Sequence, residues 1–412
     1  MPNQQEATWD LLSSWLDNWY WQPDLQALKL CVCAVAAHYY TDEKPLWLFL
    51  IGNSGTGKTE IAIHSLRAAP DSHLRGDFTP KCFLSNWQEN GRQRGAPRKE
   101  SSLLLRDGPS QVWLAKDFTT FASMPYEHRI QVAAKFREIW DGEVVSDTGV
   151  DHKSWQGKVT VVAAATPEFE DHWAAFGGLG ERFLTVRWRD PQDPTKIMQK
   201  VRDQAGKESR IREMSQRFVG ELLAGARRQS DMPTADQMEQ LDATARMIAW
   251  LRVRVSRDST PSRPIVRVAP PESPSRISLA LSQIIRTHQD LFHHDTPGRP
   301  EFELAGRLAI DTIPLERRRV IESIPLEGQT DVTSVWKATR IPRTTIIRQL
   351  EELVEMKALE VSTSRGPWED RKVWFTSEFH DVARAARVTL ERRGDVVVMK
   401  RLPGGKARIA EV

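Results

Sequence analysis

The residues best suited to chemistry in this chain form one short run, Gly52-Asn53-Ser54-Gly55-Thr56-Gly57-Lys58-Thr59. Its spacing fits G-x-x-x-x-G-K-[ST]. Glycines at these steps let the backbone bend until successive N–H groups point inward at phosphate oxygens. A helix starting near Lys58 adds the positive end of its dipole. Lys58 then reaches the β- and γ-phosphates, and Thr59 offers a hydroxyl to Mg²⁺. The flanks suit this chemistry. PLWLFLI (45–51) is a continuous apolar run of strand length, as in a strand covered on both faces, and EIAIHSLRAA after the loop reads as helix. The expected ligand is a nucleoside triphosphate with Mg²⁺.

Two further apolar runs end in polar residues. QVWLAKD (111–117) ends in Asp117, placed to hold the Mg²⁺ as a second ligand beside Thr59. The next residue is Phe118, so no carboxylate follows directly to activate water. Glu138 and Asp141, on and just beyond the helix expected over Tyr126 to Trp140, are the candidate bases. The alternative is slow hydrolysis, with the bound nucleotide acting as a switch. KVTVVAAAT (158–166) ends in Thr166, which can sense the γ-phosphate, hold the attacking water, or make only a local turn bond. Strands alternating with helices imply an α/β fold with a parallel sheet.

These residues resemble the AAA+ ATPases, with four elements in that family's order: GNSGTGKT, VWLAKD, VVAAAT and LGERF. The stretch FREIWDGEVVSDTGVDHKSWQGKVTVVAAATPEF adds a helix ending in glycine and two short strands, EVVSDT and WQGKVTV, around a polar tip. Such a hairpin is similar to that of minichromosome-maintenance helicases and bacterial enhancer-binding activators, although the GAFTGA loop of the activators is absent. The resemblance covers about 45–290. It implies a P-loop core at 45–195 with ATP bound, and a helical lid at 196–290. It also implies a hexameric ring in which Arg182 reaches the neighbouring subunit's ATP as an arginine finger. The plainer reading of Arg182 is a surface ion pair. Arg276, opening SRISLALSQIIR, is similar to a sensor-2 arginine. Phe118 in place of a glutamate departs from the family pattern.

DVTSVWKATRIPRTTIIRQLEELVEMKALEVSTSRGPWEDRKVWFTSE, within 326–380, looks like a winged helix-turn-helix. A short helix over Thr333 to Thr339 and a turn at RIP lead into a longer helix over Arg343 to Met356. Ile346, Ile347, Leu350, Leu353 and Val354 share one face of that helix. LEVSTS and KVWFTS pair as a wing. In DNA-binding members the start of the second helix enters the major groove. Arg343, Thr344, Thr345 and Arg348 hold those positions, while Arg365, Arg371 and Lys372 reach phosphates from the wing. A protein-docking role is the alternative. Arg92, Arg94, Arg98 and Lys99 in a loop, with His152 and Lys153 at the hairpin tip, would grip the phosphate backbone in a ring's pore without reading sequence. A plain solvated loop is the alternative there.

Composition sets outer bounds. The 412 residues are 40% hydrophobic and 27% charged, which suits two or three globular domains rather than a disordered chain. The net charge of +3 decides nothing about partners, so the placement of cations matters more than their number. Three cysteines cannot make a disulfide framework, which fits a reducing cytosol. No run reaches the roughly 20 apolar residues of a membrane span. The N-terminus lacks the basic and apolar regions of a signal peptide. Residues 1–44 read as helices whose aromatic stripe is a packing face. Residues 291–325 read as a proline-punctuated linker with short helices, and 381–412 as a basic tail. The expected function is a ring-forming ATPase that unwinds or translocates DNA, including replication initiation of a mobile element. An ATP-dependent assembly switch that unwinds nothing is the alternative.

Overall fold

The computed structural model describes residues 3–76, 78–84, 102–148, 151–171, 182–228, 231–258, 260, 263–325, 328–362, 367–386, 388–393 and 396–401. They divide into two compact units. The first comprises 1–231 with 286–295, and the second comprises 232–285 with 296–412.

The first unit opens with helices α1 (Gln4–Trp19) and α2 (Leu25–Tyr40). Asn3 caps α1 by accepting from the Glu6 amide, and the Glu6 carboxylate answers on the Asn3 N–H. The apolar circumference of α2 is buried from Ala27 to His38, as expected of such a helix. Next come β1 (Trp47–Ile51), β2 (Ser72–Arg75), α3 (Leu103–Asp107), β3 (Ser110–Ala115), α4 (Thr119–Ala122) and α5 (Tyr126–Asp141). The unit continues with β4 (Glu143–Thr148), β5 (Asp151–Gln156), β6 (Lys158–Ala165), α6 (Glu168–Asp171), β7 (Phe183–Arg187), α7 (Pro194–Gln204) and α8 (Glu208–Gly225).

Five strands form one parallel sheet in the order β2-β3-β6-β1-β7. All five residues of β1 are buried. Trp47, Phe49 and Ile51 join an aromatic core with Trp113, Phe118, Phe136, Phe169 and Phe183. Leu48 and Leu50, also fully buried, take the opposite face, and α2 lies along β1, β6 and β7. Each such large side chain contributes roughly 1.5–3 kcal/mol by leaving water. The order matters for chemistry. β6 sits between β1 and β3, so the C-terminal ends of all three open at one edge.

The hairpin differs from the sequence expectation. Its second arm is β5, Asp151–Gln156, while Lys158–Ala165 is the sheet strand β6. Gly157 marks the change, because a Cβ there would lie 2.1 Å from the Pro109 carbonyl oxygen and no other residue fits. Gly142, at φ +90°, ends α5 as its sequence position implied.

In the second unit, α9 (Ala235–Leu251) is followed by an antiparallel pair, β8 (Val255–Arg257) and β9 (Ile265–Val268). SRDSTPSRPIVRVAPPESPSR (256–276), whose prolines suggest a stiff connection, thus takes part in a hairpin. Helices α10 (Ser275–Phe292), whose residues from 286 on belong to the first unit, α11 (Arg299–Asp311) and α12 (Leu315–Glu322) follow. Residues 299–322 are thus mostly helix, with Leu304, Leu308, Val320 and Ile321 buried. Then come α13 (Val332–Thr339), α14 (Arg343–Glu355), β10 (Leu359–Val361), β11 (Val373–Phe375), α15 (Ser377–Ala385), β12 (Val388–Arg393) and β13 (Val396–Arg401). Ile346, Leu350 and Leu353 of α14 share a core with Met247 and Leu251 of α9. The buried guanidinium of Arg317 donates to the carbonyls of Leu251 and Val253 and to Glu352. Among the described residues no helix is long and apolar enough to cross a membrane.

At the edge of the sheet opposite the glycine loop, His38 is buried between Thr160 and Ser110. Ser110 Oγ donates to Asp71 and so must accept from His38 Nε2, which leaves Nδ1 to accept from Thr160. Burial first, and the Lys158 ammonium second, hold this imidazole down to about 4. Between that value and the ordinary 6.5 the unfolded chain binds a proton that the folded one does not. Stability should therefore fall as pH drops from 6.5 towards 4, by about 3 kcal/mol at most. His38→Gln should flatten this limb in urea unfolding at stepped pH. An acid limb unchanged in the variant would contradict the assignment.

Candidate functional site

The glycine loop follows β1 at the open edge of the sheet and leads into a helical turn at Thr59–Ile63. Gly55 and Gly57 carry φ of +77° and +89°, which side-chain-bearing residues rarely adopt. Gly52 lies so close to Trp188 that an added Cβ would fall 2.8 Å from the Trp188 Cβ. Trp188 holds the loop from below: its amide donates to Ile51 O and its indole N–H to Thr56 O, at 2.8 and 3.0 Å. The segment after the loop is helical, but wider than an α-helix. The His64 amide donates to Thr59 O, and Thr59–Ile63 form a single π-turn, followed by a 3₁₀ turn over Ser65–Ala68.

A cavity of about 340 Å³ opens there, within the range of small-molecule sites. Ser54 to Ile61, Lys116, Asp117 and Thr166 line it. The structure thus brings together Lys58, Thr59, Asp117 and Thr166. The Lys58 ammonium donates to the carbonyls of Gly52 and Asn53, at 2.5 and 2.6 Å. Burial lowers its pKa, and the carboxylates of Asp190, Asp117 and Glu168 pull the other way. Asp117 is exposed, and its carboxylate accepts from the Thr119 amide at 2.8 Å. The Thr119 hydroxyl accepts from the Thr166 amide at 3.1 Å and lies 3.3 Å from the Thr166 hydroxyl. The Thr59 hydroxyl and the Asp117 carboxylate are hard oxygen donors among the cavity-lining residues, a set that fits Mg²⁺.

Other expected site residues lie elsewhere. Glu138 pairs with Lys135 on α5 at 2.8 Å and does not line the cavity. The Arg182 side chain is only 9% exposed, 3.5 Å from the Asp141 carboxylate and stacked over Trp140, again outside the cavity lining. Arg276 is exposed in the first turn of α10, in the second unit. His152, exposed on β5, pairs with Asp147 across the hairpin, beside Lys153. Arg92, Arg94, Arg98, Lys99 and Arg365 lie outside the described residues.

The cavity also has walls that sequence reasoning missed. Tyr20 and Trp21, from the stripe read as a packing face, line it together with Ile197, Lys200, Val201 and Gln204 of α7. Lys200 donates to the carbonyls of Asp17 and Asn18, and Gln204 to that of Trp19, so α7 caps the end of α1. The Lys196 ammonium sits 4.0 Å above the Trp21 ring. These contacts join segments about 180 residues apart, which no local pattern reveals.

In the second unit the turn between α13 and α14 places two guanidiniums, Arg340 and Arg343, over the Trp336 ring at 5.1 and 5.3 Å. Thr344 is exposed, while Thr345 and Arg348 are half-buried. Arg371 stacks over Trp368. Lys372 donates to Asp331, the cap of α13, and that bond is the main reason the carboxyl titrates at about 2.

No protein-family model matches the chain, and no curated protein matches it in sequence.

The residue after Asp117 has a definite role. Phe118 is 1% exposed and touches the rings of Phe49, Phe121, Phe136 and Phe169, with centroids 5.1–5.9 Å away. A carboxylate at this position would be buried without a partner. Phe118→Glu should therefore cost roughly 3–5 kcal/mol in urea unfolding. A variant as stable as the parent would show that this side chain can turn out to the cleft.

Proposed function

We propose that the first unit binds ATP with Mg²⁺ and hydrolyses it, as a P-loop ATPase of AAA+ type. The observation that carries this reading is the convergence of Lys58, Thr59, Asp117 and Thr166 on one cavity at the C-terminal edge of a parallel sheet. Ligands of open α/β sheets bind at that edge. Backbone amides of the glycine loop cradle the phosphates, and Lys58 moves from the Gly52 and Asn53 carbonyls to the β- and γ-phosphates. Thr59 and Asp117 hold Mg²⁺, which neutralises charge between those phosphates. Lys58→Ala should abolish binding of a fluorescent ATP analogue while the fold is retained by circular dichroism. Binding at parental affinity would overturn the reading.

The finer proposal is a hexameric ring that drives DNA unwinding or translocation, with a winged helix that binds DNA. It is supported by two short helices at a tight turn, an antiparallel pair after them, and exposed Arg343 and Thr344 at the start of the second helix. Arg343→Ala with Arg348→Ala should weaken duplex binding about tenfold or more in fluorescence anisotropy and reduce its salt dependence. Unchanged affinity and salt slope would leave the protein-docking role. Arg182 serves as the finger only by leaving Trp140, so Arg182→Ala should abolish hydrolysis and spare binding. The second reading, an ATP-dependent assembly switch, is favoured by buried Phe118 where a water-activating carboxylate would stand.

A further inference from the structure

The cavity at the glycine loop has a second end that phosphates alone do not need. Tyr20 and Trp21, in the turn between α1 and α2, line it, and so do Ile197, Lys200, Val201 and Gln204 of α7. Those α7 positions are spaced i, i+3, i+4 and i+7, so they share one face of the helix. α7 fully buries none of its side chains, and Val201 is 59% exposed. An apolar helix face is thus left uncovered where it lines a cavity together with two aromatic side chains. Small-molecule sites combine such walls with a few placed polar groups.

The walls are held in place. The Arg189 amide donates to the Asp24 carboxylate at 2.9 Å, and the Gln192 amide to the Gln22 side-chain oxygen at 3.2 Å. These bonds tie the segment between β7 and α7 to the turn before α2. Tyr20 also borders the glycine loop, since a Cβ added to Gly57 would lie 3.9 Å from Tyr20 Cδ1. Gln204 is a polar group at this end. Its Nε2 donates to Trp19 O at 2.6 Å. A backbone carbonyl only accepts, so this bond fixes which way the carboxamide is turned. Oε1 meets no donor among the described residues and remains an acceptor.

We propose that this end of the cavity is the base subsite of the nucleotide site and that Gln204 selects adenine; this rests on the nucleotide reading above. The purine packs among Tyr20, Trp21, Ile197 and Val201, because aromatic rings stack on any base without reading its edge. Selection then falls to Gln204, whose Oε1 accepts from the 6-amino group of adenine. Hypoxanthine and guanine carry a carbonyl oxygen at that position, which would meet Oε1 with no proton between them. Turning the carboxamide over would only bring Oε1 against Trp19 O. A site built to accept from one amino group therefore rejects the base that lacks it.

The test is calorimetric titration, with Mg²⁺ present, of ATP, inosine triphosphate and inorganic tripolyphosphate into the parent, Gln204→Leu and Lys58→Ala. Inosine triphosphate replaces the 6-amino group by a carbonyl, and tripolyphosphate reports the phosphate end alone. The parent should bind ATP about tenfold or more tighter than either of the other two. Gln204→Leu should bind ATP and inosine triphosphate within about twofold of each other, with tripolyphosphate affinity as in the parent. A parent that does not distinguish ATP from inosine triphosphate would overturn the proposal, as would a Gln204→Leu variant that keeps the parental ratio. Loss of tripolyphosphate binding in that variant would make Gln204 a structural residue and overturn its part in selection. ATP bound no tighter than tripolyphosphate would overturn the base subsite and leave the phosphate end intact. A parent that binds none of the three, or a Lys58→Ala variant that binds ATP normally, defeats the nucleotide reading itself.

Discussion

A largely buried ammonium group governs the first unit. Lys58 is 7% exposed and needs partners for all its protons. Two of them are carbonyls of its own loop, Gly52 and Asn53. This bonding requires the loop to fold back on itself, which it does through the left-handed glycines Gly55 and Gly57. It also requires a rigid floor, provided by β1 below and by Trp188 bonded to both Ile51 and Thr56. A phosphate chain offers the ammonium stronger, charged acceptors than these carbonyls. The same loop is therefore stable alone and poised to exchange partners.

The aromatic core sets the second constraint. It reaches from Trp47 on β1 to Phe118 beyond β3 and Phe169 on α6. Packing of this density leaves no room for a charge at position 118. The core thus keeps the side chain at position 118 out of the cavity. Phe118 turns inward, while Thr166, at the end of the adjoining strand, lines the cavity. The motif residue Asp117 and its neighbour serve opposite ends, the one facing the cavity and the other the core.

Local patterns made much of this readable in the sequence. The loop glycines, the buried run of β1, the polar ends at Asp117 and Thr166 and the glycine closing α5 follow short-range rules of spacing and capping. The face of α14 with Ile346, Leu350 and Leu353 does too. What was hidden depends on distant pairing. Tyr20 and Trp21 look like any packing stripe until α7 closes against the end of α1. The hairpin arm at Asp151–Gln156 is polar, so alternation gave no signal, and its place was taken by the more apolar β6. Prolines around 256–276 suggested a stiff connection, yet Val255–Arg257 and Ile265–Val268 pair at its ends. Arg182 was legible as a residue type, but its stacking on Trp140 was not.

A structure determined with Mg²⁺ and a slowly hydrolysed ATP analogue would decide whether the proposed triphosphate occupies the cleft around residues 52–59. The β- and γ-phosphates should lie on the amides of Gly55 to Thr59, with the Lys58 ammonium moved from the Gly52 and Asn53 carbonyls onto phosphate oxygen. Saturating analogue with Lys58 still bonded to both carbonyls, and the nucleotide absent or bound elsewhere, would contradict it.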